Sequence, residues 1–189
     1  MIPDMDKIEK KVIALESDRD KVRQASKDLI RLSGKTIAMM HAKGPGSVKG
    51  MLKGLSKLKA QLEKAEIGFE YYSLQAHQEY SEALILYNIL LRKKIPSMNE
   101  IKEGEVHYLL GLMDVVGELK REAIESIRKG KNKDARTYYR LMSDIYDSTL
   151  HMRFSNSVLP DFRRKQDSAR IQLEGVMSEI LHLDLKGAD

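Results

Sequence analysis

The sequence predicts an all-α fold, and three observations carry that prediction. The four prolines, Pro3, Pro45, Pro96 and Pro160, fall with glycines at a few points and punctuate the chain. The segments between them are rich in Leu, Lys, Glu, Ala and Arg, residues that lose little freedom in a helix. Neither β-branched clusters nor apolar–polar alternation, the marks of strands, interrupt these segments.

In chain order, a first helix is predicted from about Asp4 to His41. It stops at KGPGS, where Gly44, Pro45 and Gly46 cannot continue it and Ser47 is placed to cap the next helix. A second helical segment covers about residues 47 to 93, with a break expected near Gly68. KKIPSMNEIKEGE reads as a turn region closing at Gly104. A third helix, about 105 to 129, ends at RKGKNKD with Gly130 as its C′ residue. A fourth covers roughly 132 to 153, and the last begins after SVLPD and ends before Gly187. No internal repeat or low-complexity linker divides the chain, so residues 1–189 read as a single helical domain.

Composition bounds the function. With 189 residues, 42% apolar and 32% charged, the chain can bury a substantial core and is too apolar for disorder. It has no cysteine, which excludes disulfides and thiolate metal sites and fits a reducing, cytoplasmic location. No apolar run reaches the ~18 residues of a membrane span. The charged amino terminus MIPDMDKIEKK lacks the apolar centre of a secretory signal, so no membrane partner is expected. The formal charge of +5 suits a polyanionic partner. Its distribution says more. Arg19, Arg23, Lys27, Arg31 and Lys35 recur every four residues and form one slowly winding stripe. Such a stripe is either a solvated face paired with nearby acids or a track for phosphates.

The third helix contains EVHYLLGLMDVVGELKREAIESI. On a wheel of about 100° per residue, apolar residues from Val106 to Ile127 cover more than half the circumference. The rest is a narrow polar slot holding His107, Gly111, Asp114, Glu118, Arg121 and Glu125. Asp114 and Glu118 aim the same way, and like charges at that spacing destabilise a helix, so a positive group is expected between them. In AHQEYSEALILYNILL, His77, Ser81 and Asn88 read as the polar face, while Glu79 and Glu82 lie on the opposite, core-facing side. If the two helices pack together, four carboxylates converge. They would repel one another unless a hard cation such as Mg²⁺ or Mn²⁺ neutralises them. Taken singly, each acid reads as a partly exposed carboxylate paired with Lys or Arg; taken together, Glu79, Glu82, Asp114 and Glu118 read as a metal site. His41, His107, His151 and His182 read as structural or surface residues. Neither Glu79 nor Glu82 has the Glu-x-x-His partner of a di-iron bundle.

At these residues the sequence resembles the translin family, and its TRAX-like branch in particular. HYLLGLMDVVGELKREAIESIRKG is similar to the TRAX region Asp-Tyr-Leu-Leu-Gly-x-x-Asp-Leu-Thr-Gly-Glu-Leu-x-Arg. QEYSEALILYNILLRKKIPSMNEI resembles its Gln-Glu-Tyr-x-Glu-Ala segment with the trailing Ser-x-x-Glu-Ile, and RDKVRQASKDLIRLSGKTIAMMH resembles the family's first helix with a His near its end. The likeness runs over about residues 15 to 185. It departs at His107, in place of an Asp, and at Val115-Val116, in place of Leu-Thr.

The resemblance implies a bundle of about six or seven long helices and a metal-dependent endoribonuclease. Glu79, Glu82, Asp114 and Glu118 then correspond to the acids that hold Mg²⁺, with Mn²⁺ as a substitute; one of the four, with Glu79 the least constrained by the motif, could instead act as base on the attacking water. The resemblance further implies a hollow homo-oligomer, an octamer, enclosing single-stranded RNA or single-stranded DNA. Arg19, Arg23, Lys27, Arg31 and Lys35 would line its inner wall and hold the nucleic-acid backbone. Tyr71, Tyr72, Tyr80, Tyr138 and Tyr139 are candidates for stacking on bases. Three rival readings stay open: a non-catalytic translin-like RNA- or DNA-binding protein, an all-α nucleotide pyrophosphohydrolase, and a helical scaffold.

Overall fold

The structure is a computed structural model that describes residues 3–186. Helix α1 (Met5–Lys43) has 39 residues and is about 58 Å long. Its buried positions Val22, Ser26, Leu29, Ser33, Ile37 and Met40 recur every three or four residues. Packing therefore begins at Val22, and residues 5–18 stand exposed. Gly44 ends the helix at φ +81°, donating its N–H to the Met40 carbonyl oxygen.

A 3-10 turn over Pro45–Val48 leads into α2 (Lys49–Ala65). Ser47 does not cap α2: its hydroxyl bonds back to the Gly44 carbonyl oxygen, because the 3-10 turn displaces the helix start by two residues. The break expected near Gly68 is present, with φ +82° at that glycine. Helix α3 (Leu74–Arg92) follows. The turn region contains a single helical turn, α4 (Met98–Ile101), held by a capping box between Ser97 and Glu100. Helix α5 (Glu105–Arg128) ends at Gly130, φ +69°, as expected. Helix α6 (Asn132–Thr149) stops short of residue 153 because the Gln166 side chain donates to the Thr149 carbonyl oxygen at 2.6 Å and satisfies the helix end. Helix α7 (Phe162–Lys186) closes the described chain.

Seven helices are thus found among the described residues, with no strand. α1 packs on α2 and α3, α3 packs on α5, and α5 meets α6 and α7 on its far side. The interior is filled by Leu29, Met40, Ile85, Leu86, Ile89, Leu110, Leu119, Met142 and Ile145. No helix among the described residues is long and apolar enough to cross a membrane.

Two readings of side-chain placement are corrected. His77 and Ser81, expected on a polar face, are 2% and 0% exposed. The reason is tertiary: α3 is enclosed by α1, α2 and α5, leaving no side of its middle turns to solvent. Tyr80 and Tyr138 are core residues, so Tyr71 and Tyr72 are the exposed rings of the five stacking candidates, with Tyr139 partly buried.

Candidate metal centre and nucleic-acid interface

The site is built where α3 crosses α5. Gly111 permits the crossing: a Cβ there would lie 2.5 Å from Ser81 Cβ and 2.8 Å from the Glu82 backbone nitrogen. With the backbones this close, Gln78 on α3 reaches across and donates from Nε2 to Asp114 Oδ2 at 2.5 Å. The same crossing turns Glu79 and Glu82 toward Asp114, so the three carboxylates feel one another's charge.

Glu82 is the anomaly of the group. It is 9% exposed, and no hydrogen bond reaches its carboxyl among the described residues. Burial pushes its pKa up to about 8, and the charges of Asp114, Glu79 and Glu118 add to the effect. Glu79 is also raised, by burial first and then by Asp114, with a hydrogen bond from Gln75 working against them.

The positive group expected between Asp114 and Glu118 turns out to be two groups, one for each acid. Lys165, near the start of α7, donates from Nζ to Asp114 Oδ1. His41, near the end of α1, holds Glu118 Oε2 at its Nε2 and Glu122 Oε1 at its Nδ1, the latter at 2.6 Å. Burial alone would lower the His41 pKa, but the hydrogen bonds and charges of the two glutamates prevail and push it up to about 9. The hydrogen bond from His41 in turn lowers the Glu118 pKa, against the effect of burial. Sequence reasoning missed both residues in these roles. Lys165 closes a basic run, RRK, that reads as solvated; His41 carried one signal, its place near the end of the first helix.

Two recesses flank this centre and share Gly117 as a wall. One, of about 500 Å³, is lined by His41, Lys120, Arg121 and Glu122; the other, of about 150 Å³, by Asp114, Arg164, Lys165 and Gln172. Carboxylates are thus bordered on both sides by cations, which suits a ligand carrying phosphates. The donor set, all carboxylate oxygens, with the largely buried Glu82 making no hydrogen bond among the described residues, is chemically suited to a hard divalent cation. Asp114 and Glu118 are each drawn toward their own cation, and no three of the four acids bring oxygens within 4.8 Å of one another among the described residues. Gathering them around one ion takes side-chain rotation.

The basic stripe is mixed. Arg19 is bound to Glu16 and Asp20, at 3.5 and 2.9 Å, and Arg31 to Asp28. Arg23, Lys27 and Lys35 are exposed and make no ion pair among the described residues. Arg23 precedes His41 by eighteen positions, about five turns, and shares its side of α1, while Lys35, six positions before His41, is turned about a third of a turn away from it.

Comparisons with known proteins agree with this architecture. An uncharacterised protein of Methanocaldococcus jannaschii is 31% identical over 170 residues, covering 88% of this chain and 76% of that protein. Apo-NeC3PO is similar with a TM-score of 0.85 at 25% identity, covering 96% of this chain and 97% of its own. AfC3PO is similar with a TM-score of 0.84 at 25% identity, covering 98% and 99%. In its complex with duplex RNA the TM-score is 0.86 at 23% identity, covering 96% and 97%. The model of the translin family matches residues 17–187, nearly the whole helical bundle, and the chain belongs to the translin family.

Proposed function

We propose that this chain is a metal-dependent endoribonuclease of the TRAX-like type, active as a hollow homo-oligomer, an octamer, that encloses RNA. The observation that carries the reading is Glu82, a largely buried carboxyl with no hydrogen bond among the described residues, whose pKa is pushed up to about 8 by burial and by the charges of Asp114, Glu79 and Glu118. A scaffold has no use for such a group, whereas a divalent cation would replace its proton. Membership of the translin family and the likeness to AfC3PO, which has been seen with duplex RNA, support the RNA substrate.

Glu82, Asp114 and Glu118 would hold Mg²⁺, with Mn²⁺ able to substitute, and Glu79 would either join them or act as the base instead. When bound, the cation supplies positive charge at the phosphate and acidifies water for in-line attack. The chain's own groups do the rest. As base, Glu79, half-buried with a raised pKa, takes the proton from the attacking water at a carboxylate oxygen. His41 orients Glu118. Lys165 and Arg164 in one recess, and Arg121 in the other, are the cations that would contact the scissile phosphate if a metal took Lys165's place at Asp114. Arg23, Lys27 and Lys35, with Arg19 and Arg31, hold the backbone elsewhere without reading bases.

The test is cleavage of labelled single-stranded and duplex RNA by wild type and Glu82→Gln, in Mg²⁺ and in EDTA. Wild type should cut in Mg²⁺ alone, and the variant should be slower by about a hundredfold or more. RNA left intact by wild type, or cut equally by the variant, refutes the nuclease. Light scattering tests the shell, which a 21.6 kDa monomer would rule out.

One observation favours a second reading. Lys165 and His41 already neutralise Asp114 and Glu118, as a non-catalytic translin-like protein binding single-stranded RNA or DNA would have it. That reading gives salt-sensitive binding and no cleavage.

A further inference from the structure

A second group of ligating side chains lies on α3, at the start of α5 and in the loop before it, apart from the four carboxylates. Among the described residues, His77, Glu103 and His107 are the group of three whose ligand atoms all lie within 4.8 Å of one another. His77 Nδ1 is 3.0 Å from Glu103 Oε1, and His107 Nδ1 is 3.3 Å from Glu103 Oε2. Ligands at 2.0–2.1 Å from a tetrahedral Zn²⁺ are about 3.3 Å apart, so each of these hydrogen-bonded separations, one to each oxygen of Glu103, is close to the edge of a zinc polyhedron.

We propose that His77, Glu103 and His107 form a metal site of their own, for Zn²⁺ or a similar nitrogen-preferring cation.

Three further features point the same way. The first is the far side of the His77 ring. Its Nε2 donates to Glu66 Oε2 and its Nδ1 to Glu103 Oε1, both at 3.0 Å, so a metal would displace the Nδ1 proton while Glu66 keeps the Nε2 hydrogen. A carboxylate behind a ligating imidazole is the usual way a protein fixes tautomer and ring orientation at zinc. The second is charge. Lys59 lies 2.5 Å from Glu63 and 3.6 Å from Glu103, while Glu66 is held by the far nitrogen of His77. Once a metal has displaced the Nδ1 proton of His77 and the imidazoles are neutral, Glu63, Glu66 and Glu103 exceed Lys59 by two charges, which one divalent cation would balance. Lys59 keeps Glu63 when Glu103 turns to the metal.

The third is access. The His77 and Glu103 side chains are 3% exposed and that of His107 is 29%. His107 borders a recess lined by Tyr71, Leu74, Gly104, Val106 and Val158. The two imidazoles stack at 4.7 Å, and the more exposed His107 would turn its Nδ1 from Glu103 to the metal. Three protein ligands with a fourth position open to the recess make an open zinc site, with room for water or an anionic ligand. Bound there, the ion would tie the loop after α2 and the loop before α5 to α3.

The test uses the full, untagged chain carrying Glu82→Gln, so that the carboxylate centre is impaired. Co²⁺ titration should give the visible d–d bands of a tetrahedral site at one equivalent, Zn²⁺ should bleach them, and Zn²⁺ should raise the melting temperature. His107→Ala, at a partly exposed position, and Glu103→Gln should each remove the bands. Glu66→Gln should weaken Zn²⁺ binding by about 10–100-fold. Absence of the bands, or bands unchanged in both His107→Ala and Glu103→Gln, overturns the proposal. Neither result touches the nuclease reading, which is judged by RNA cleavage.

Discussion

Gly111 on α5 lies against Ser81 on α3 so closely that a Cβ at Gly111 would stand 2.5 Å from the Ser81 Cβ and 2.9 Å from the Gln78 carbonyl oxygen. The neighbours include backbone atoms, which cannot swing aside, so any side chain pushes the helices apart. The Gln78–Asp114 hydrogen bond and the approach of Glu82 to Asp114 depend on the same spacing. Gly111→Ala should lower stability by about 1–3 kcal/mol, the usual cost of overpacking. Chemical denaturation of wild type and variant measures this. The nuclease rate should fall as well, even where the variant remains folded.

Lys165 supplies the cation beside Asp114. In the proposed reaction it yields that place and contacts the phosphate. Lys165→Met should therefore slow RNA cleavage by about a hundredfold while Mg²⁺ binding is unweakened, because a competing cation has gone. Calorimetric titration of Mg²⁺ beside single-turnover cleavage separates the two effects. Weaker Mg²⁺ binding in the variant would make Lys165 a support of the ligand set instead.

His41 gives the metal-free protein a predictable response to pH. Its folded-state pKa, about 9, lies above the ordinary 6.5. The imidazolium bridge between Glu118 and Glu122 therefore contributes fully below about pH 6.5, and the contribution is lost as pH rises through 9. Glu82, pushed up to about 8, acts with the same sign. In EDTA, the wild-type melting temperature should fall by about 5 °C or more between pH 6.5 and 9. His41→Gln should melt lower at pH 6.5 and lose less over this range. Parallel curves for the two proteins would show that His41 does not carry the charge.

Arg23 and Lys27 are exposed and unpaired among the described residues, unlike Arg19 and Arg31. If they face RNA phosphates, Arg23→Glu with Lys27→Glu should weaken RNA binding at all sequences alike. Each lost contact should reduce the slope of log affinity against log salt by about 0.7 to 0.9. Filter binding at several salt concentrations reads this out. An unchanged slope would assign the stripe to solvent.

Much of this protein is legible in its sequence. Gly44, Gly68 and Gly130 each adopt positive φ where helices were expected to end or break, because backbone conformations of that kind are written in residue type and need no partner. The family likeness was legible too, since the two acidic motifs are local strings. Helix boundaries set by distant groups were not: α6 ends early because Gln166, seventeen residues on, takes its last turn's carbonyl.

The sequence by itself determined an all-helical chain with two pairs of acids at one-turn spacing, and it required positive partners for them. Only the tertiary structure decided which partners. Lys165 reaches Asp114 from α7, and His41 reaches Glu118 from α1, across 51 and 77 positions of chain. The same enclosure buried His77 and set it against Glu103 and His107, where helical periodicity had placed it in solvent. Periodicity reports which residues share a face of one helix; what that face meets is set by the packing of the others, and that packing alone determines whether a charge stands in water or against another charge.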